Sequence, residues 1–374
     1  MRRRLLVAGM TVLVAGACSD GTSSTPARPT VTSEATPAAL HLLQPLAVHH
    51  TTALQDGRLL FTGGCTLPGC EGFDAARATQ LFDPRLGRFS PGPTMLSARA
   101  GGTATLLRDG RVLLAGGYPA EGQAPTAATE LYDPDMDRFT AASPMLSARA
   151  DHSASLLPTG RVLICGGFDT SARAQRSCEV FDPGTNSFAN GPRMSAARGG
   201  HTASLVHDRV VLIGGTSGNQ ALASTDELVG GRWAPGPSLL VPRVKLEATT
   251  LPGGRVLVMG GATSTEGRER LASTEIIDVQ RATVTAGPDL SEGQYKLDGA
   301  VARLQDGRLV IAGGRRLNVY DPRENTITVL QEPLLQQRSF VTATTVGPRT
   351  VLVAGGYDDA IVPSDAATLI HVPG

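Results

Sequence analysis

Seven times along this chain a short apolar stretch ends in two glycines: Gly63-Gly64, Gly116-Gly117, Gly166-Gly167, Gly214-Gly215, Gly260-Gly261, Gly313-Gly314 and Gly355-Gly356. Successive pairs stand 42 to 53 residues apart, a spacing that chance glycine richness does not produce. A unit of that length holds several short strands but cannot bury its own apolar face. Packing such units side by side around an axis does bury it, so the period points to a radial all-β repeat.

The unit from Arg99 to Phe139 shows what each repeat contains. Thr103 to Leu107 reads as a first strand. Asp109-Gly110 is a hairpin turn, where glycine tolerates the positive φ that such turns need. Val112 to Ala115 return as a second, fully apolar strand, and Thr129 to Tyr132 form a third. Asp133-Pro134 begins the next turn, with proline presetting φ and donating no hydrogen bond. The stretch near Phe139 is the fourth. Four antiparallel strands per unit make one propeller blade, and seven units predict an all-β, seven-bladed β-propeller. A six-bladed ring with one degenerate unit is the alternative.

The glycine pair after a buried strand, the basic hairpin before it and the downstream Asp-Pro with its outer aromatic resemble the Kelch repeat. The resemblance runs from about Leu46 to the C-terminus and is similar to bacterial secreted Kelch proteins and to the propeller of galactose oxidase. Two units depart from it: Leu228 to Gly231 and Asp278-Val279 stand where Asp-Pro is expected. The outer aromatics are Phe89, Phe139, Phe188 and Trp233, while Val284 and Ile327 replace them later.

The seventh unit lacks a fourth strand, whereas Ala38 to Gln44 precede the first unit without a blade of their own. An open ring would leave bare strand edges, so this N-terminal stretch is expected to complete the last blade. The propeller is thus assigned to residues 38–374.

Ahead of it, Arg2-Arg3-Arg4 and the apolar run Leu5 to Ala17 read as a signal peptide over residues 1–17, too short to span a membrane. Ala15-Gly16-Ala17-Cys18 resembles a bacterial lipobox, although alanine replaces the usual leucine at 15. The resemblance implies lipidation at Cys18, a flexible Ser/Thr/Pro-rich tether over 18–37, and a cell-envelope address, with Ser19 favouring the outer membrane. Cleavage without acylation, giving a secreted soluble protein, is the alternative. The other four cysteines suit an oxidising compartment, with local bridges expected for Cys65 with Cys70 and for Cys165 with Cys178.

Lys plus Arg and Asp plus Glu both count 34, so no net field draws the chain to nucleic acid or anionic lipid. The membrane enters only through the lipid anchor. Enzyme signals are weak. The likeness to galactose oxidase implies a copper-radical site, yet His49, His152 and His201 recur at one strand position, as capping residues do, and Tyr118 and Tyr357 follow glycine pairs. Asp133, Asp135 and Asp137 suit turn chemistry better than calcium. No metal or cofactor is expected.

Three columns recur across the blades. Arg58, Arg111, Arg161, Arg255 and Arg308 follow the hairpin turns and should meet Asp83, Asp133, Asp182, Asp278 and Asp321. Glu130, Glu179, Glu227 and Glu275 recur in the third strand, which argues for a structural task. Ten residues before each hairpin stand Arg99, Arg149, Arg198, Arg243, Lys296 and Arg338, with Leu46 in the first unit. Strand direction puts this basic ring on the face that carries the long loops after the glycine pairs. Binding residues favour long loops on a rigid scaffold. The expected function is therefore a binding or scaffolding module for a protein or glycan partner on the long-loop face. The ring could hold an acidic ligand, or each arginine could bond backbone carbonyls between blades. The rival is a carbohydrate-active or copper-radical oxidase-like enzyme.

Overall fold

The computed structural model describes residues 40–70, 77–120, 122–333 and 338–374. The expected signal peptide, lipidation at Cys18 and tether all fall outside the described residues. Among the described residues twenty-eight strands form seven four-stranded antiparallel sheets. In blade I they are His50–Ala53, Leu59–Thr62, Gln80–Asp83 and Arg88–Pro91, running from the axis outward. Blades II to VI repeat this order over residues 103–142, 153–190, 202–235, 247–286 and 301–333. Blade VII consists of Thr342–Gly347, Thr350–Ala354 and Ser364–His371, with Leu40–Leu46 as its outermost strand, antiparallel to Ser364–His371. The protein is an all-β, seven-bladed propeller.

Burial is greatest in the second strand of each blade and falls toward the outer edge. Every residue of Leu59–Thr62, Val112–Ala115 and Val162–Cys165 is buried, because a second strand has a neighbouring blade against each face. Outer strands such as Arg232–Pro235 are mostly exposed. The core therefore lies between blades: Leu60 and Leu81 of blade I pack with Val112, Leu114, Tyr132 and Phe139 of blade II. In blades I to III the third-strand aromatic meets the outer one, with ring centroids 4.9 Å apart for Phe82–Phe89, 5.1 Å for Tyr132–Phe139 and 5.0 Å for Phe181–Phe188.

The glycine pairs join neighbouring blades. Gly63 has φ 68°, and a Cβ there would sit 2.6 Å from the carbonyl oxygen of Arg99, which leads into blade II. Gly64 N–H donates to that same carbonyl at 2.8 Å. The bond recurs from Gly117 to Arg149, Gly167 to Arg198, Gly215 to Arg243, Gly261 to Gln294 and Gly356 to Leu46. Only glycine combines this backbone conformation with so close an approach.

The hairpin arginines do not pair as the spacing suggests. Arg58, Arg111 and Arg308 bond the aspartate of their own turn, Asp56, Asp109 and Asp306, at 2.7, 2.6 and 2.8 Å. An aspartate two residues away receives both the backbone N–H and the guanidinium, so it is reached first. Arg161, whose turn has Thr159 instead, reaches Asp182 at 2.9 Å, the one expected pair that forms. Arg255 bonds the Pro252 carbonyl. The third-strand aspartates instead cap their own turns, Asp83 accepting from Arg85 N–H and Asp321 from Arg323 N–H.

Candidate functional site

The arginine column lies inside the structure and not at a binding mouth. Arg99, Arg149, Arg198, Arg243 and Arg338 are all buried. Arg149 donates to the carbonyls of Gly166 (2.7 Å) and Ser177 (3.2 Å) and to Glu179 Oε1 (2.6 Å). Arg99 pairs in the same way with Glu130 at 2.6 Å, and Arg243 with Glu275 at 2.7 Å. The guanidinium thus reaches the first glycine carbonyl of its own blade, while its backbone carbonyl holds the glycine pair of the blade before. Arg338 bonds the carbonyls of Gly355 and Ala366, and Thr368 occupies the place of the glutamate. None of these cations is free to receive a ligand, because each is already held by buried acceptors.

Two positions of the columns need correcting. Arg198 pairs with Asp226, at 3.4 Å, and not with Glu227. Asp226 stands opposite Leu212 as Glu179 stands opposite Ile164, and one residue of shift along a strand changes face. Lys296 likewise leaves the ring. Gln294 supplies the carbonyl that accepts from Gly261, and a turn from Leu297 to Ala300 inserts two residues before the inner strand of blade VI.

Two residues beyond this column, all seven blades place one residue in the left-handed region: Val48, Gly101, Asp151, Gly200, Lys245, Lys296 and Phe340, with φ between 51° and 63°. Five backbone bonds link them around the axis. Asp151 N–H donates to Gly101 O, Gly200 to Asp151, Lys245 to Gly200, Lys296 to Lys245 and Phe340 to Lys296, at 2.7–3.0 Å. A left-handed conformation costs a non-glycine residue about 1–3 kcal/mol, so the belt of bonds must fix it. These seven residues and the starts of the inner strands line a cavity of about 210 Å³ on the axis, at the long-loop face.

The belt is regular in backbone and uneven in chemistry. Lys245 and Lys296 sit on adjacent blades, Phe340 follows them, and Gly101 and Gly200 flank Asp151 on the other side. Lys296 Nζ lies 5.3, 5.5 and 5.1 Å from the ring centroids of Tyr295, Phe340 and Tyr357, and it donates to the Tyr357 hydroxyl. Lys245 Nζ lies 5.6 Å from the Phe340 centroid. Burial, reinforced by Lys245 and Arg270, pushes the Lys296 ammonium down to about 8. Burial and the carboxylate of Asp151 push the Tyr118 phenol up to about 12. Below the belt, burial and the neighbouring Asp298 push the Glu247 carboxyl up.

Residues 152–195, which make up blade III, match the Kelch motif. The chain is a seven-bladed propeller that carries a Kelch motif. Among solved structures it is similar to "Structure of YjhT", with a TM-score of 0.59 over 89% of this chain and 97% of that one. At 14% identity that likeness concerns the fold alone. No curated protein matches the chain in sequence.

Within this propeller the three aligned histidines fasten blades together. His49 shares a hydrogen bond with Thr342 at 3.1 Å, His152 with Thr103 at 3.1 Å and His201 with Ser153 at 3.0 Å, each partner lying one blade back. Burial holds the His49 and His201 imidazoles down at about 3 and that of His152 well below its ordinary value. Among the described residues no three His, Cys, Asp or Glu side chains stand together as metal ligands. Cys165 and Cys178 face one another across the second and third strands of blade III and are disulfide-bonded. Cys65 is disulfide-bonded as well; the side chain of Cys70, its expected partner, lies outside the described residues.

Of the axial residues, only Lys296 was a candidate from sequence, and it was placed in a different column. A cue was available. The chain contains 34 Lys and Arg, and the only two lysines among them are Lys245 and Lys296.

Proposed function

We propose that this protein is a binding module of the bacterial cell envelope, tethered through a lipidated Cys18, which receives a protein or glycan partner on its long-loop face. The observation that carries the reading is the axial mouth, where a repeated backbone belt presents five residue types across the seven blades. A purely structural column would repeat one residue type, as the buried arginines do. Exposed parts of recognition surfaces are expected on long loops over a rigid frame, and the opposite face carries short turns, several of them capped by aspartate.

The reading is tested by capture from envelope extracts with the full chain. Tyr118→Ala combined with Phe168→Ala alters the loop face, and Arg85→Ala combined with Arg323→Ala alters the turn face. Loss of the captured partner only in the first pair is the expected result. Loss only in the second would overturn the assignment of the face.

A further inference from the structure

We propose that the axial mouth beside Lys245 and Lys296 is a binding subsite for a small organic carboxylate that carries an apolar ring or chain. The proposal rests on the binding-module reading and names the ligand chemistry of that face.

Residue usage sets the two lysines apart. Every other cation of this chain is arginine, and many of them are committed to carbonyls or carboxylates within the fold. The two lysines occupy equivalent belt positions on adjacent blades and both line the same cavity. Among the described residues, no carboxylate stands within ion-pair distance of either ammonium. An ammonium is a compact point charge on a flexible stem, suited to meeting an anion that arrives from solvent.

Charge balance around the mouth also favours an anion. Lys296 is faced by Tyr295 on its own segment, Phe340 and Tyr357 of blade VII, Lys245 and Arg270 of blade V, and Asp151 across the mouth. Arg270 is already paired with Asp359 at 3.0 Å. The two like charges of the lysines repel, and this raises the cost of keeping both protonated. A bound monoanion removes that cost. Asp151 and Asp298 also line the cavity, which disfavours a dianion such as phosphate.

Size and surface then narrow the ligand. A cavity of about 210 Å³ falls below the range of drug-sized sites and matches a small acid or the tip of a larger ligand. Phe340 and Val48 offer apolar contact, and Gly101 and Gly200 leave their part of the belt without side chains.

The test uses the full chain with its lysines reductively dimethylated from ¹³C-formaldehyde, which keeps their charge and gives two lysine signals beside any free α-amine. Benzoate is the probe, with benzyl alcohol as its neutral counterpart and inorganic phosphate as the competing anion. At pH 7 benzoate should shift both lysine signals saturably, whereas the alcohol and phosphate should not. Lys296→Gln should weaken benzoate at least tenfold, read by calorimetry on unmethylated protein. Lys245→Gln serves the same purpose should the first variant fail to fold. Raising the pH from 7 to 9.5 should weaken binding as the Lys296 ammonium loses its proton. Benzoate without effect on either signal, or benzyl alcohol or phosphate acting as strongly, would overturn the proposal. Such a failure beside intact partner capture would leave the binding-module reading standing.

Discussion

At the scale of single residues, the buried arginine and its carboxylate come and go together in the first six blades. Blades II to V have arginine with Glu130, Glu179, Asp226 and Glu275. Blade I has Leu46 and blade VI has Gln294, and there the acceptor becomes the neutral Gln80 or Asn318. Those amides keep the carboxylate's second task of accepting a backbone N–H, from Leu43 and Ser291. Leaving one buried charge without its partner costs about 3–5 kcal/mol, while replacing the whole pair by neutral groups costs far less. Glu179→Ala should therefore lower the urea midpoint sharply. Arg149→Leu combined with Glu179→Gln, which copies blade I, should recover most of the loss. An equal midpoint for both variants would mean that the ion pair is not what holds this joint.

At the scale of elements, the strands were legible because each carries its own local signal. The glycine pair, the Asp-Gly hairpin and the Asp-Pro turn depend on backbone conformation within a few residues. Links between elements were less legible. The arginine and glutamate columns were each visible, but their members stand about 30 residues apart, and the spacing alone did not show that Arg149 meets Glu179. Counting from the hairpin also misplaced Lys296, since the extra turn before Val301–Arg303 leaves no mark in the period. The axial belt was hidden for a different reason. Its residues share a backbone conformation and no side-chain type, so no column of letters reveals it.

The outermost strand of blade VII gives a test at this scale. Leu40–Leu46 covers the edge of Ser364–His371, with Leu42 and Leu46 buried against Leu352 and Ala354. Deleting residues 40–44 should lower the melting temperature by several degrees, through lost backbone bonds and lost apolar burial. Deleting residues 19–30 should leave it unchanged. Equal melting temperatures for the two deletions would remove that strand from the list of what keeps the ring shut.

For the whole molecule, seven similar blades make a closed frame, and what differs between blades gathers near the axis at one face. The envelope address is tested separately from binding. Cys18→Ala should move the protein from the membrane pellet to the soluble fraction, because acylation needs the thiol. Wild type and variant of equal mass in the soluble fraction would rule out the anchor.

The direction of Leu40–Leu46 decides where the chain enters the propeller. The strand climbs toward the loops, Leu46 pairing with Ser364 at the loop end while Leu40 pairs with Ala367, lower down. Entry is therefore at the rim of the disc, off the axis and apart from the lysine-bearing opening, so the strand that closes the ring and the opening can each be altered without touching the other.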